Sequence, residues 1–102
     1  MHEDRKKHYN ALRLQFLQNP SFLVEEWKVE DYRAIDDEDL FSRLEALGVV
    51  IDAPSFSVYA ENVDSPEELC DAVTEELSDS GLIDQAFLLC FELWRRFVPE
   101  KP

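Results

Sequence analysis

A chain of 102 residues with 45% hydrophobic and 12% aromatic content fits one domain with enough apolar matter for a real core, which excludes wholesale disorder. Two glycines and five prolines are too few turn devices for a many-stranded all-β fold. A net charge of −13 repels phosphate backbones and anionic membrane surfaces, so neither nucleic acid nor a membrane is expected as a partner.

In chain order, hydrophobic spacing and capping residues predict an all-α bundle of five to six short helices joined by short loops. The first runs from about Arg5 to Gln18, with Tyr9, Leu12, Phe16 and Leu17 on one face, and Asn19-Pro20 ends it. Ser21 is placed to cap a second helix from Phe22 to about Tyr32, whose inward side is Leu23, Val24, Trp27 and Tyr32. Asp36 or Asp37 opens a third, with acidic side chains complementing the helix dipole and Leu40, Phe41, Leu44 and Leu47 forming the stripe. Gly48 follows as its C′ residue.

Residues 49–59 admit two readings. Val49-Val50-Ile51 and Phe56-Ser57-Val58-Tyr59 flank Asp52-Ala53-Pro54-Ser55 and could pair as a small β-hairpin. The alternative is a short helix capped by Ser55, with Phe56, Tyr59, Ala60 and Val63 at helical spacing. The helix is preferred, because Ala60-Glu61-Asn62 continues it and has poor strand propensity.

Ser65-Pro66-Glu67-Glu68 is the clearest local signal: an N-cap serine, proline at the first helical position and glutamate at the third form a capping box. That helix is expected to reach about Ser78, burying Leu69, Cys70, Val73 and Leu77. After Asp79-Ser80-Gly81 a final helix runs from Leu82 to about Val98. On a helical wheel its apolar residues, among them Phe87, Leu89, Phe91, Leu93, Trp94 and Phe97, span about 200°, and Leu88 lies among the polar ones. An arc that wide fits a helix surrounded by others, or one that meets the core on one flank and a partner on the other. Residues 1–102 are thus read as one acidic helical domain, with 1–4 and 99–102 as flexible ends.

Acidic residues concentrate in the middle. Residues 25–84 carry a charge of −16, against +2 for 1–24 and +1 for 85–102. Such a surface favours a basic partner; its other reading is solubility alone. Cys70 and Cys90 are too few for a secreted disulfide framework, and the charged Met1 to Tyr9 is unlike a signal peptide, so two buried free thiols in the cytoplasm are expected. A bridge between the two is left open, as is the chain's being the front part of a longer protein.

No chemistry-bearing motif is found. His2 and His8 have no spacing that joins them to Cys70 or Cys90, so no metal site is assigned. Asp36-Asp37-Glu38-Asp39 has Phe41 where a calcium loop needs glycine. Glu38-Asp39-Leu40 with Leu44 faintly echoes Glu67-Glu68-Leu69 with Val73, but two acidic helix starts account for that. Ser80-Gly81-Leu82-Ile83-Asp84-Gln85, opening an apolar helix, is similar to the attachment region of acyl and peptidyl carrier proteins, in which a serine after aspartate carries phosphopantetheine. Gln85 stands at that serine position, so no family and no cofactor is assigned. The expectation is a non-enzymatic protein–protein interaction module that binds another protein, or a second copy, through Leu88, Phe91, Trp94 and Phe97 on the last helix. The alternative is an acidic mimic of nucleic acid that blocks a basic protein. An enzyme would need a concave pocket holding acids such as Asp84 or Glu92.

Overall fold

The computed structural model describes residues 3–98, and the side chains from residue 5 onward. The expectation of flexible ends falls outside the described residues, apart from the backbone of residues 3 and 4, which is helical. The described chain forms α1 (Glu3–Gln18), α2 (Phe22–Glu26), a 3-10 turn (Tyr32–Ala34), α3 (Asp37–Leu47), α4 (Ala53–Asn62), α5 (Pro66–Val73) and α6 (Ser80–Phe97), with no strand among these residues. This is the expected all-helical bundle, and the hairpin at 49–59 does not form.

Three of the helices begin at a side chain that accepts backbone N–H groups of the first turn. Asp52 caps α4 by accepting the Ser55 N–H at 2.9 Å, three residues ahead of the serine expected in that role. An aspartate there places Pro54 in the first turn, where a missing N–H costs nothing. Ser65 caps α5 by accepting the Glu68 N–H, and the Glu68 carboxylate reaches back to the Asp64 N–H. Asp79 accepts from the N–H groups of Gly81 and Leu82, so α6 starts at Ser80, ahead of the expected Leu82.

Two helices are shorter than their hydrophobic pattern predicts. α2 stops at Glu26 because Lys28 turns left-handed, with φ 57°, and the Val29 N–H closes on the Leu23 carbonyl. Tyr32 still reaches the core, but from the 3-10 turn, where the Asp31 side chain accepts the Arg33 N–H. Ser21 makes no capping bond; its hydroxyl donates to Asn19 instead. Val24 and Leu17, assigned to inward faces by spacing, are exposed. α5 ends at Val73, short of the expected Ser78: Thr74 leaves helical backbone angles, its hydroxyl shares the Cys70 carbonyl, and the Leu77 N–H closes a turn on the Thr74 carbonyl.

α6 is the axis of the bundle. It packs against α1, α3, α5 and the 3-10 turn, which accounts for its wide apolar arc. Leu88, stranded among polar residues on the wheel, is 0% exposed. Tyr9 stacks on Phe87 with centroids 4.5 Å apart, and Phe91 meets both Phe87 and Phe16. A second aromatic cluster joins Phe41, Phe56 and Phe97 edge to face, tying α3, α4 and α6 together. At the end of α6, Arg96 bonds Glu92 (2.9 Å), Asp37 (2.8 Å) and the Tyr32 carbonyl (3.1 Å), locking the helix to the entrance of α3.

Replacing Leu88 therefore tests whether α6 is enclosed. Leu88→Ala is expected to cost about 2–5 kcal/mol in urea unfolding, the range for a fully buried leucine. A loss below about 0.5 kcal/mol, usual for a surface change, is inconsistent with that burial.

Tyr9 supplies a second test. Burial, then the neighbouring Cys70, pushes its phenol well above the ordinary value of 10.0. A raised folded pKa means the unfolded state ionises first, so the part of the stability linked to Tyr9 is intact below about pH 10 and falls as pH climbs from there towards the folded value. The melting temperature is expected to drop above that pH, and Tyr9→Phe to flatten the drop while leaving neutral stability within about 1 kcal/mol.

Candidate functional site

The four side chains singled out on the last helix do not form a surface. Leu88, Phe91 and Trp94 are 0%, 5% and 3% exposed, and half-buried Phe97 is held between Phe41 and Phe56. The helices that make α6 central have covered the face that was expected to meet a partner.

The buried ionic groups are likewise occupied. The Arg13 guanidinium lies 3.0 Å from the Glu67 carboxylate, and Glu92 is held by Arg95 and Arg96. Asp84 pairs with His8 at 2.8 Å. The two acids considered for an enzyme are thus each held by a side-chain partner, and neither lines a concavity among those described below. Cys70 and Cys90 are unbridged and buried; the Cys90 thiol is pushed well up by its hydrogen bond with Cys70 and by burial. Among the described residues no three His, Cys, Asp or Glu side chains converge as metal ligands. His2 lies outside them.

Exposed apolar side chains instead gather around α4. Val50, Val58 and Tyr59 are 82%, 57% and 41% exposed, half of the exposed large hydrophobic residues among those described. All three border two adjoining hollows. The first, of about 420 Å³, lies between the link from α3 to α4 and the end of α5. Val49, Ile51, Val73 and Leu77 give it an apolar floor, and Val50 stands at its edge. Ser55 and Tyr59 of α4 separate it from the second hollow, of about 530 Å³, which Pro54, Val58 and Asn62 complete.

The local sequence explains this shape. Gly48 ends α3 with φ 106°, its N–H bonding the Glu45 carbonyl while the Val49 N–H reaches Leu44. That reversal sends Val49 inward and leaves Val50 facing solvent before Asp52 starts α4. On the opposite wall Thr74 stops α5 early, so the following turn sets Glu75 and Glu76 on the rim with Leu77 beneath. Tyr59 fell within the expected inward stripe of α4, yet only Phe56 and Ala60 of that stripe are fully buried. The overlooked signal was the run Val49-Val50-Ile51 directly after a helix-ending glycine. Successive residues of an extended link face opposite ways, so the three cannot all be inside.

The electrostatic setting is one-sided. No lysine, arginine or histidine occurs between Arg43 and Arg95, while twelve acids do. Glu75, Glu76 and Asp52 are exposed and, among the described residues, in no ion pair. The Ser55 side chain and N–H hold the Asp52 carboxyl below its ordinary value, so it stays charged. The first hollow of this groove thus sets an apolar floor inside a mainly polar, acidic border, and the second hollow, beside it on α4, is mainly apolar.

Compared with protein families, with curated proteins and with solved structures, the chain matches none significantly. Among the described residues no helix is long and apolar enough to cross a membrane.

Gly48 positions one end of the groove. A Cβ there would lie 3.1 Å from Leu77 Cδ2, on a backbone at φ 106° that L side chains rarely adopt. Gly48→Ala is expected to lower stability by at least about 1 kcal/mol and to shift the methyl resonances of Leu77, read by denaturant titration and NMR. Unchanged stability and unchanged Leu77 shifts are the contrary result.

Proposed function

We propose that this chain is a non-enzymatic protein–protein interaction module of the cytoplasm, whose acidic α3–α5 surface takes a basic protein partner. One observation carries the reading: between Arg43 and Arg95 the chain has acids and no cation, and the exposed apolar side chains of α4 lie within that run. A field of one sign speeds encounter with oppositely charged partners and disfavours wrong ones, more than it adds raw affinity. Interior ion pairs do not cancel it, because Glu67 and Glu92 are the acids they neutralise there, whereas Glu75 and Glu76 face solvent. The cytoplasmic part rests on composition, since two cysteines are below the number that a secreted disulfide framework uses.

The last helix has no role as a binding face in this proposal, given the burial of Leu88, Phe91 and Trp94. Binding falls to the surface that α6 supports from beneath.

Panning a charge-balanced random peptide library against the immobilised chain tests the proposal. The expected outcome is enrichment of peptides with net positive charge, whose binding weakens from low to physiological salt as screening sets in. Enrichment without charge bias, or binding indifferent to salt, would count against a basic partner.

A further inference from the structure

We infer that the groove between the α3–α4 link, α4 and the end of α5 binds a short segment of a partner protein that carries one bulky apolar side chain flanked by lysine or arginine. This deepens the basic-partner proposal and rests on it. Three features specify the occupant.

Apolar depth comes first. Ile51, Val73 and Leu77 are half-buried and packed against the core, so the floor is fixed by the fold. A trough of about 420 Å³ opening onto a second of about 530 Å³ has room for a leucine- to tryptophan-sized side chain. Val50 is the most exposed large apolar residue in the described chain, at the edge where such a side chain would enter. Covering it moves its surface from water into an apolar contact.

The rim supplies the second feature. Glu75 and Glu76 border the trough and Asp52 adjoins it, with no cation of the chain within the same sequence run. An apolar anchor alone leaves Glu75 and Glu76 without a cation, whereas a flanking lysine or arginine meets them. A wholly polar basic segment satisfies the rim but leaves the floor wet.

The third feature excludes a second copy. Two chains of −13 each would bring the same acidic rims together, and like charges at an interface cost several kcal/mol. Tyr59, on the ridge shared by both hollows, offers a ring face to a guanidinium or aliphatic side chain and a hydroxyl to the partner backbone. Aromatic residues of this kind commonly dominate binding surfaces.

Binding of synthetic fluorescent peptides to the full chain, followed by anisotropy and by ¹⁵N NMR, tests the inference. Three peptides of equal length are used: a tryptophan between lysines and arginines, the same basic peptide with serine for tryptophan, and the tryptophan peptide with glutamines for its cations. Only the first is expected to saturate, shifting resonances of Val50, Tyr59 and Leu77. Val50→Ser or Tyr59→Ala should weaken it about tenfold, as loss of one good anchor contact does. Val24→Ser, an exposed site on α2 outside the groove, should leave it unchanged, and melting curves should show all three variants folded. The double variant Glu75→Gln, Glu76→Gln should weaken binding and reduce its salt dependence.

If the serine peptide binds as tightly, the basic-partner proposal stands and the groove assignment is overturned; charge mimicry of nucleic acid would behave this way. If the glutamine peptide binds as tightly, the groove is real but its occupant is merely apolar, and the basic-partner reading falls. Failure of all three peptides to bind overturns both. Concentration-dependent dimerisation in sedimentation, abolished by Val50→Ser, would make the occupant a second copy and overturn the inference.

Discussion

An 18-residue helix with apolar side chains over more than half its circumference cannot be satisfied by one neighbour. Resting α6 against a single helix would leave most of that surface in water, so the chain before it has to supply walls on several sides. α1, α3, α5 and the 3-10 turn do this in turn, and α4 is fastened through the Phe41–Phe56–Phe97 cluster. The remaining architecture follows from that enclosure. Short helices joined by abrupt turns can surround an axis from several directions, which two long antiparallel helices could not. Lys28 in a left-handed conformation and Thr74 folded onto the Cys70 carbonyl are the devices that keep α2 and α5 short.

Enclosure also decides where the charge goes. On the polar side of α6 Arg95 stays exposed, but Glu92 is drawn in and has Arg95 and Arg96 beside it. Glu67 on α5 is buried against α1 and takes Arg13. Breaking either pair would strand a carboxylate away from water, a cost of several kcal/mol. Cations are thus committed to the interior junctions of α1 and α6, and others pair locally, Arg33 with Asp31 and Arg43 with Glu30. Acids on α4, α5 and the turn after it have no such counterpart within the run from Arg43 to Arg95. Part of the negative field over the groove is a by-product of how the centre was neutralised.

How much of this was legible in the sequence varies with the physical range of the determinant. Helix starts were readable where a capping side chain and proline stand together, as at Ser65-Pro66, because the bonds involved span three residues. The end of α3 was readable for the same reason at Gly48. The end of α2 was not, since a lysine rather than a glycine took the left-handed position, and no local signal marks a lysine for it. On the last helix the wheel identified an apolar arc wide enough for a central or a two-sided helix, but periodicity alone did not choose between them. Leu88 looked like the exposed end of a binding face and is instead core, because whether a residue is covered depends on elements far away in sequence. The groove was invisible for a like reason. Its walls come from three elements, and Val50, Tyr59 and Leu77 are ordinary residues until the fold brings them to one hollow.

The groove and the core share a boundary, and this bears on what binding there would do to the protein. Leu77 and Val73 pack against the buried cluster from one side and floor the groove from the other. An occupant that fills the groove buries those residues further and stabilises the folded state in proportion to its affinity and concentration. Its apolar part gains from a floor already formed by folding, so little ordering cost is incurred on the domain side. In the proposed role the acidic border would act over a longer distance, about the 8 Å Debye length at physiological salt, on basic chains of many kinds. Selection among them would then fall to the contact that reaches only a few ångströms, an apolar side chain placed between Val50 and Tyr59, which both line the hollow. Charge without the groove would make this surface merely adhesive, and the groove without charge would leave it slow to find its partner.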